Sequence, residues 1–301
     1  MQCYRSANFN GLLASWHQMV KDGATIDDMS LETSRLCKNF LFITLKPQAT
    51  EFKLYRARKC LSKDYFKLIS ELNYPQSQIV TKLGRANQVG KPVLYVSQDA
   101  RTALYECSPQ IGDFIAILEY KTKPGRSLNL QHVGFYGNQT IDPSIQKTIG
   151  SISARLRSLG YDDRGVSNTN LVHRLLGEEF TRLITPGNEN EYAISAAIAN
   201  FLLRYPECDG LMYPSIRLPC DFNIALKTKA ADHLIRPSAT YGLEIVGVSL
   251  PDIEFRYWCG ATSISADGEI NWLHGPTLPP LAWNSAGTAA LQGPFAPPSA
   301  T

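Results

Sequence analysis

The sequence predicts an α+β fold in which a mixed β-sheet core is flanked by helices. Strand-like runs occur at residues 53–57, 93–97 and 114–120. Other segments carry apolar residues at helical spacing, and the clearest of them covers residues 191–204. With 301 residues, the chain is long enough to bury a large core as one big domain or as two modest ones.

Composition and charge argue against several classes of protein. A net charge of +3 is too small to indicate direct binding to nucleic acid or to an anionic membrane. No apolar run approaches the roughly 20 residues of a transmembrane helix, and the N-terminus lacks the layout of a signal peptide. The seven cysteines include no Cys-x-x-Cys pair, and the five histidines are isolated. We therefore expect a cytoplasmic protein with reduced thiols and no metal site.

The first 50 residues predict a helical N-terminal extension. Asp27 or Ser30 is expected to cap a second helix that runs through Leu36. One face of the first helix carries five apolar residues: Leu12, Leu13, Trp16, Met19 and Val20. Amphipathic helices usually pack on a core, so we expect a hairpin on the main domain, and a partner-binding or dimerising segment is the alternative.

The stretch from Gly84 to Glu106 predicts a polar loop, a strand and a capped helix. Gly90-Lys91 suggests a phosphate loop, but Pro92 stands where a nucleotide-binding loop needs Ser or Thr, so we reject a Walker-type site. Residues 93–97 form an apolar strand with Tyr95 at its centre. Asp99 suits the N-cap of the following helix, which carries Glu106 near its end and is expected to turn it inward.

The remaining elements follow from the same signals. We predict strands at 114–120, 127–130, 210–216, 223–227, 243–250 and 253–258. A helix opening at Asp142-Pro143 carries Ile145, Ile149, Ile152, Leu156 and Leu159 on one stripe, and Gly160 ends it. Asn170 is expected to cap a helix over residues 171–184.

Three local contexts, in this order along the chain, resemble the RES-domain family, the toxins of RES–Xre toxin–antitoxin pairs. The family is named for an arginine, a glutamate and a serine. The arginine is Arg56 within LYRAR (54–58), the glutamate is Glu106 within TALYE (102–106), and the serine is Ser215 within DGLMYPSIR (209–217). The resemblance covers residues from about 52 to 228.

The resemblance implies a fold, a substrate and a domain organisation. RES-domain proteins are similar to ADP-ribosyltransferases, with a split mixed β-sheet around a cleft that takes NAD+. NAD+ would then be the substrate, and no cofactor would be bound permanently. We expect a helical extension over 1–50, the RES catalytic domain over 51–232, a β-rich segment over 233–274 and an extended or mobile Pro/Gly/Ala-rich tail over 275–301.

The resemblance also implies roles for Arg56, Glu106 and Ser215 as catalytic residues lining one cleft. Glu106 would stabilise the oxocarbenium-like state that forms when nicotinamide leaves the ribose. Arg56 would bind the pyrophosphate, with Arg85 as a second candidate for that role and Arg58 as a substitute for Arg56. Ser215 would orient the ribose or the acceptor. Residues that would contact the dinucleotide are Tyr55, Arg85, Asn87, Tyr95 and Asn223.

Bland explanations exist for the same residues. An arginine on a strand is usually half of a surface ion pair, and a serine at a strand end usually caps a turn. Ser215 lacks the Gly-x-Ser-x-Gly elbow of serine hydrolases.

Partner and acceptor are expectations from the resemblance alone. The expected partner is an Xre-type helix-turn-helix antitoxin or another inhibitor protein. Association into a homo-oligomer is a further alternative. Water or phosphate would accept the ADP-ribosyl group. A protein acceptor is the alternative, and a non-catalytic binding module is a second alternative.

Overall fold

The computed structural model describes residues 9–37, 44–45, 51–63, 65–134, 150, 153–185, 187–218, 221–249 and 252–275. By its internal contacts, the chain divides into two compact units. Unit 1 comprises Met1–Pro47, Gln76–Val93 and Leu128–Ala230, and unit 2 comprises Gln48–Pro75, Leu94–Ser127 and Ala231–Thr301.

Helices and strands are numbered in chain order. The helices are α1 (Phe9–Lys21), α2 (Ile26–Cys37), α3 (Ile69–Leu72), α4 (Ala100–Glu106), α5 (Asp163–Thr181), α6 (Ala193–Leu203) and α7 (Thr228–Leu234). A further helical stretch covers residues 153–158. The strands are β1 (Thr44–Leu45), β2 (Lys53–Cys60), β3 (Val93–Ser97), β4 (Phe114–Thr122), β5 (Leu130–His132), β6 (Gly210–Pro214), β7 (Phe222–Lys227), β8 (Ile235–Ser249), β9 (Asp252–Ala261) and β10 (Leu273–His274).

Unit 1 holds a mixed sheet and most of the long helices. Its strands lie in the order β1-β5-β6-β7, with β5 and β6 parallel and the other pairs antiparallel. The apolar residues predicted on one stripe of α6 are buried: Ala193, Ile194, Ala197, Ile198, Phe201 and Leu202. Because α6 is buried almost all round, it needs partners on several sides. The N-terminal helices supply one side, where the Asn200 amide donates to Asp27 at 3.0 Å.

Unit 2 holds an antiparallel sheet with α4 on one face. Its strands lie in the order β3-β2-β4-β8-β9-β10. The core between α4 and the sheet is one cluster that includes Ala103, Leu104, Ile117 and Tyr241. The chain is therefore α+β with a mixed sheet and flanking helices, which confirms the predicted fold class.

Local capping explains where the structure departs from the predicted helix boundaries. Helix α5 begins at Asp163, eight residues before the predicted start at 171, because the Asp162 carboxylate accepts the Gly165 N–H at 2.7 Å. Helix α2 is capped by Thr25, whose hydroxyl accepts the Asp28 N–H at 3.1 Å, so the predicted caps Asp27 and Ser30 were wrong.

Every predicted strand is present, one of them shifted, and the two-residue strands β1 and β10 were not predicted. Strand β5 lies at Leu130–His132, later than the predicted 127–130, and β8 and β9 are longer than predicted. Gly160, which has φ +88°, follows the helical stretch as predicted. The first part of that predicted helix (Asp142 to Ile149) and the tail beyond residue 275 lie outside the described residues.

The described part of the chain holds no helix with both the length and the apolar character to span a membrane.

Candidate functional site

Successive side chains of strand β2 point to opposite faces of the sheet, so the candidate residues on β2 fall on two different faces. Tyr55 and Ala57 point to the face covered by α4, where Tyr55 is 4% exposed and belongs to the hydrophobic cluster. Arg56 and Arg58 point to the opposite face, as the spacing predicted. The Tyr55 ring therefore packs in the core and offers almost no surface to a ligand.

Arg56 is half-buried and only partly hydrogen-bonded. Its Nη1 donates to the carbonyl of Tyr95 at 2.9 Å, whereas its buried Nε–H has no hydrogen-bond partner among the residues that the structure describes. Burial chiefly lowers the pKa of Arg56, and neighbouring Arg58 lowers it further. An arginine remains protonated under such a shift, so Arg56 is a half-buried cation whose Nε–H is a spare hydrogen-bond donor.

Arg58 is engaged elsewhere. Its guanidinium donates to the carbonyl of Glu71 and stacks on the Phe66 ring at 5.5 Å. The side chain is exposed on the surface of β2. These contacts give Arg58 a structural use, and they favour Arg56 as the arginine of the site.

Helix α4 positions Glu106 from both of its ends. Asp99 accepts the Arg101 N–H at 2.8 Å and caps the first turn, as predicted. At the other end, the Tyr105 hydroxyl donates to the carbonyl of Asp252 at 3.1 Å. Glu106 itself is exposed, although the four residues before it are buried, so its carboxylate faces solvent and not the packed interior that we expected.

Both Arg56 and Glu106 influence the pKa of the Cys107 thiol. Burial raises the pKa of Cys107 to about 11, Arg56 acts to lower it and Glu106 acts to raise it. Cys107 is half-buried, and it packs against the hydrophobic cluster that contains Tyr55, the residue before Arg56 on β2. Arg56 and Glu106, 50 positions apart in the sequence, both belong to unit 2: Glu106 ends the helix that packs on β2, and Arg56 lies on the opposite face of that strand.

Tyr95 lies at the centre of β3 between buried neighbours and is itself partly exposed. Its carbonyl holds the Arg56 guanidinium. A partly exposed tyrosine is suited to stacking on an aromatic heterocycle.

In unit 1, the side chains of Arg85 and Asn87 donate hydrogen bonds to backbone carbonyls of the protein itself. The Arg85 guanidinium donates to the carbonyls of Phe180 and, at 3.2 Å, Arg182 at the end of α5, and it lies 5.2 Å from the Tyr192 ring centroid. The Asn87 amide donates to the Gln88 carbonyl at 3.1 Å. A positive group at a helix C-terminus is stabilising, so these contacts hold the loop on α5.

Ser215 and Asn223 are buried residues of unit 1. Ser215 is 4% exposed, and its hydroxyl accepts the N–H groups of Arg217 and Leu218 at 3.1 and 3.2 Å. This is the turn-capping role that serines at strand ends commonly have. Asn223 is 7% exposed and lies opposite Tyr213 across the β6–β7 pair.

The sequence matches the family model of the RES domain over residues 53–245. The chain belongs to the RES domain family. This confirms the resemblance that the Arg56, Glu106 and Ser215 contexts predicted, and all three residues lie within the match. The match ends inside β8, and the predicted limits of the N-terminal extension and the C-terminal segments stay predictions.

Among solved structures, the RES domain is similar to a chain of the M. tuberculosis MbcT-MbcA toxin-antitoxin complex. The sequence identity is 10%, the alignment covers 73% of this chain and 94% of that chain, and the TM-score is 0.35. No curated protein sequence matches. A TM-score of this size carries no argument, and the family assignment rests on the RES domain match.

A carboxylate that the sequence analysis missed lies in the core of the RES domain. Glu119 is 2% exposed, and its carboxylate accepts Ser238 Oγ at 2.7 Å, and both Lys53 Nζ and Tyr55 Oη at 3.3 Å. Burial, followed by Glu119, raises the pKa of the Tyr55 hydroxyl. The available signal was an acidic residue directly after the apolar run 114–118 of β4, which indicates a buried carboxylate with hydrogen-bond partners.

The RES domain also contains two buried histidines. His132 and His173 are 0% and 1% exposed, and the pKa of His132 lies well below its ordinary value because of burial and the nearby His173. In the described ranges, no three or more His, Cys, Asp or Glu side chains are grouped in a way that could hold a metal ion.

Proposed function

We propose that this RES-domain protein cleaves NAD+ at the bond between nicotinamide and ribose, and that it acts as the toxin of a toxin–antitoxin pair. Water or phosphate accepts the ADP-ribosyl group. NAD+ is a substrate in this proposal and not a bound cofactor.

The observation that carries the proposal is the charge arrangement in unit 2. Arg56 is a half-buried cation whose Nε–H has no partner among the described residues, and the exposed Glu106 ends the helix that packs on the strand carrying Arg56. A dinucleotide needs a cation for its pyrophosphate and a carboxylate for the developing positive charge on its ribose. The two RES-family residues in unit 2 are of these two types.

The chemistry needs little more than these groups. The C–N bond to nicotinamide breaks with its electron pair going to the leaving nitrogen, which becomes neutral because it was cationic. The anomeric carbon is left electron-poor, and the Glu106 carboxylate stabilises it electrostatically. An oxygen of water or phosphate then forms the new bond, and a proton passes to solvent when water is the acceptor. The Tyr95 ring stacks on the nicotinamide.

The choice of a small acceptor follows from what α4 lacks. Activation of a protein nucleophile is helped by a second acidic residue near the catalytic one. In α4 the residues before Glu106 are the buried Ala103, Leu104 and Tyr105, and Asp99 is occupied as the cap. This supports capture by a small acceptor over transfer to a protein.

The remaining roles belong to the proposal on family grounds. Ser215, Asn223, Arg85 and Asn87 are proposed to contact NAD+, and mutation of each is the test. Tyr55, whose ring packs in the core, is not proposed to touch the dinucleotide. The proposed partner is an antitoxin with a helix-turn-helix domain, and the proposed location is the cytoplasm. A neighbouring reading frame for a small helix-turn-helix protein would support the pairing.

The deciding experiment is a mass balance. Purified protein is incubated with NAD+ in a cell lysate, and nicotinamide, free ADP-ribose, ADP-ribose phosphate and macromolecule-bound ADP-ribose are quantified by liquid chromatography and mass spectrometry. We expect nicotinamide to be matched by free ADP-ribose or its phosphate. Absence of nicotinamide release would refute cleavage, and full recovery of ADP-ribose on one macromolecule would establish the transferase alternative.

A further inference from the structure

Strand β9 has one edge that is paired and one that is open along most of its length. It pairs with β8 from Asp252 to Ala261, whereas β10 pairs with it at Cys259 and Gly260. Within the described ranges, no other strand lies beside β9. The register with β8 is regular at the pairs of residues 255–257 and shifts after Tyr257. The first part of β9 therefore presents an open strand edge.

The open edge keeps the features that allow another strand to bind. Unpaired N–H and C=O groups along an edge form a template for pairing, and proteins often block it with lysine or proline. Residues 252–257 read DIEFRY and contain neither. Apolar surface lies at the same end of the sheet, where Val248 is 41% exposed and pairs with the half-buried Ile253. An extended strand could add to this edge through backbone hydrogen bonds.

The edge carries two charges of opposite sign on one face of the strand. Glu254 and Arg256 are two positions apart and point the same way. Glu254 is exposed and forms no ion pair with another residue that the structure describes. Arg256 donates to the Glu244 carboxylate at 3.0 Å, and its side chain is 40% exposed. Since a guanidinium has five N–H donors, Arg256 can bind a second carboxylate.

This charge pattern is complementary to itself. When two copies of β9 run antiparallel about a two-fold axis at Phe255, Glu254 lies opposite Arg256 of the partner subunit, and Ile253 lies opposite Tyr257 of the partner subunit. Unlike charges and aromatic–β-branched pairs directly opposite each other stabilise an antiparallel pair. The two-fold axis supplies each of these pairs twice.

Charge also selects this register over its two neighbours. An axis at Glu254 would place two carboxylates directly opposite each other, and an axis at Arg256 would do the same with two guanidinium groups. Like charges directly opposite are destabilising. Of the three registers, the one centred on Phe255 is the one that avoids a like-charge pair.

We propose that β9 binds β9 of a second copy of this chain, antiparallel and centred on Phe255, so that the sheet of unit 2 continues into the partner subunit. The RES domain match ends at residue 245, before β9 begins at Asp252. The interface is therefore built by a segment that follows the RES domain match.

Charge exchange tests the proposal, with sedimentation equilibrium of the full chain as the measurement. The parent should be a dimer. Glu254→Arg should raise the dimer dissociation constant at least about tenfold, because two cross-strand attractions become repulsions. Arg256→Glu should do the same. An equimolar mixture of the two variants restores every unlike pair and should form a heterodimer with about the dissociation constant of the parent.

Two further variants control for the charge change and for folding. Glu207→Arg makes the same charge change at an exposed residue of unit 1 and should leave the dimer intact. Arg256 also binds Glu244, so circular dichroism checks that Arg256→Glu folds. If it does not fold, Glu254→Gln replaces the mixture. This variant removes the attraction without adding repulsion, so its dissociation constant should lie between those of the parent and Glu254→Arg.

The proposal makes the oligomeric state depend on these two charges. A parent that stays monomeric up to about 100 μM overturns it, since a dissociation constant weaker than this leaves no specific dimer. A dimer that Glu254→Arg leaves unchanged, or that Glu207→Arg weakens equally, also overturns it. Folded single variants that fail to associate on mixing overturn the register centred on Phe255. None of these measurements depends on NAD+ cleavage.

Discussion

Glu106→Gln is the sharpest test of the proposed site, because it removes a charge and keeps size and hydrogen-bonding capacity. A carboxylate about 4 Å from a unit positive charge gains about 4 kcal/mol at an effective dielectric constant of about 20. Glu106 is exposed, so solvent screens part of that attraction. A remaining stabilisation of about 2–3 kcal/mol corresponds to a loss of NAD+ cleavage on the order of a hundredfold.

The structure also predicts what Glu106→Gln leaves unchanged. The side chain projects from the last residue of α4 into solvent, so the free energy of unfolding should move by less than about 0.5 kcal/mol. Initial rates of nicotinamide release and urea unfolding curves are measured on the same preparation. Glu207→Gln, at another exposed glutamate, serves as the control and should keep full activity. Turnover within about threefold of the parent in Glu106→Gln would refute the electrostatic role.

Three further predictions concern stability. The pKa of His132 is lowered in the folded protein, so the unfolded chain binds more protons at acidic pH. The free energy of unfolding should therefore be unaffected by His132 above about pH 6.5 and should fall as the pH drops below it. His132→Phe should flatten that pH dependence in urea titrations. Gly177→Ala should lower the free energy of unfolding by about 1–3 kcal/mol, because the new Cβ would lie 2.5 Å from Gly134 Cα, and this outweighs the better helix propensity of alanine. The control is Arg174→Ala at an exposed position of the same helix, which should change the free energy of unfolding by less than about 0.5 kcal/mol in chemical denaturation. Ser215→Ala should lower the melting temperature, since it strips the acceptor from two backbone N–H groups at a cost of about 1–2 kcal/mol, and loss of cleavage without any loss of stability would instead indicate direct contact with substrate.

Arg85 shows what the local sequence leaves undetermined about a side chain's contacts. The sequence marks it as a donor for phosphate, and the structure places its guanidinium on the carbonyls of Phe180 and Arg182. Those partners are almost 100 positions away, and no local pattern around Arg85 indicates them. The separation of Arg56 from Arg58 has the same origin, since the two share one face of β2 and differ only in the contacts that each makes.

By itself, the sequence determined the features that depend on a few neighbouring residues. The Asp99 cap, the β3 strand, the α6 stripe and the turn at Gly160 were all predicted, because capping, alternation and positive φ act within one or two turns of chain. The family followed from three short contexts for the same reason. Only the tertiary structure decided that Glu106 faces solvent, that Glu119 is buried among Lys53, Tyr55 and Ser238, and that Arg85 bonds to the end of α5. Burial and hydrogen-bond partners are set by which distant strands and helices pack together, and that information is spread over the whole chain.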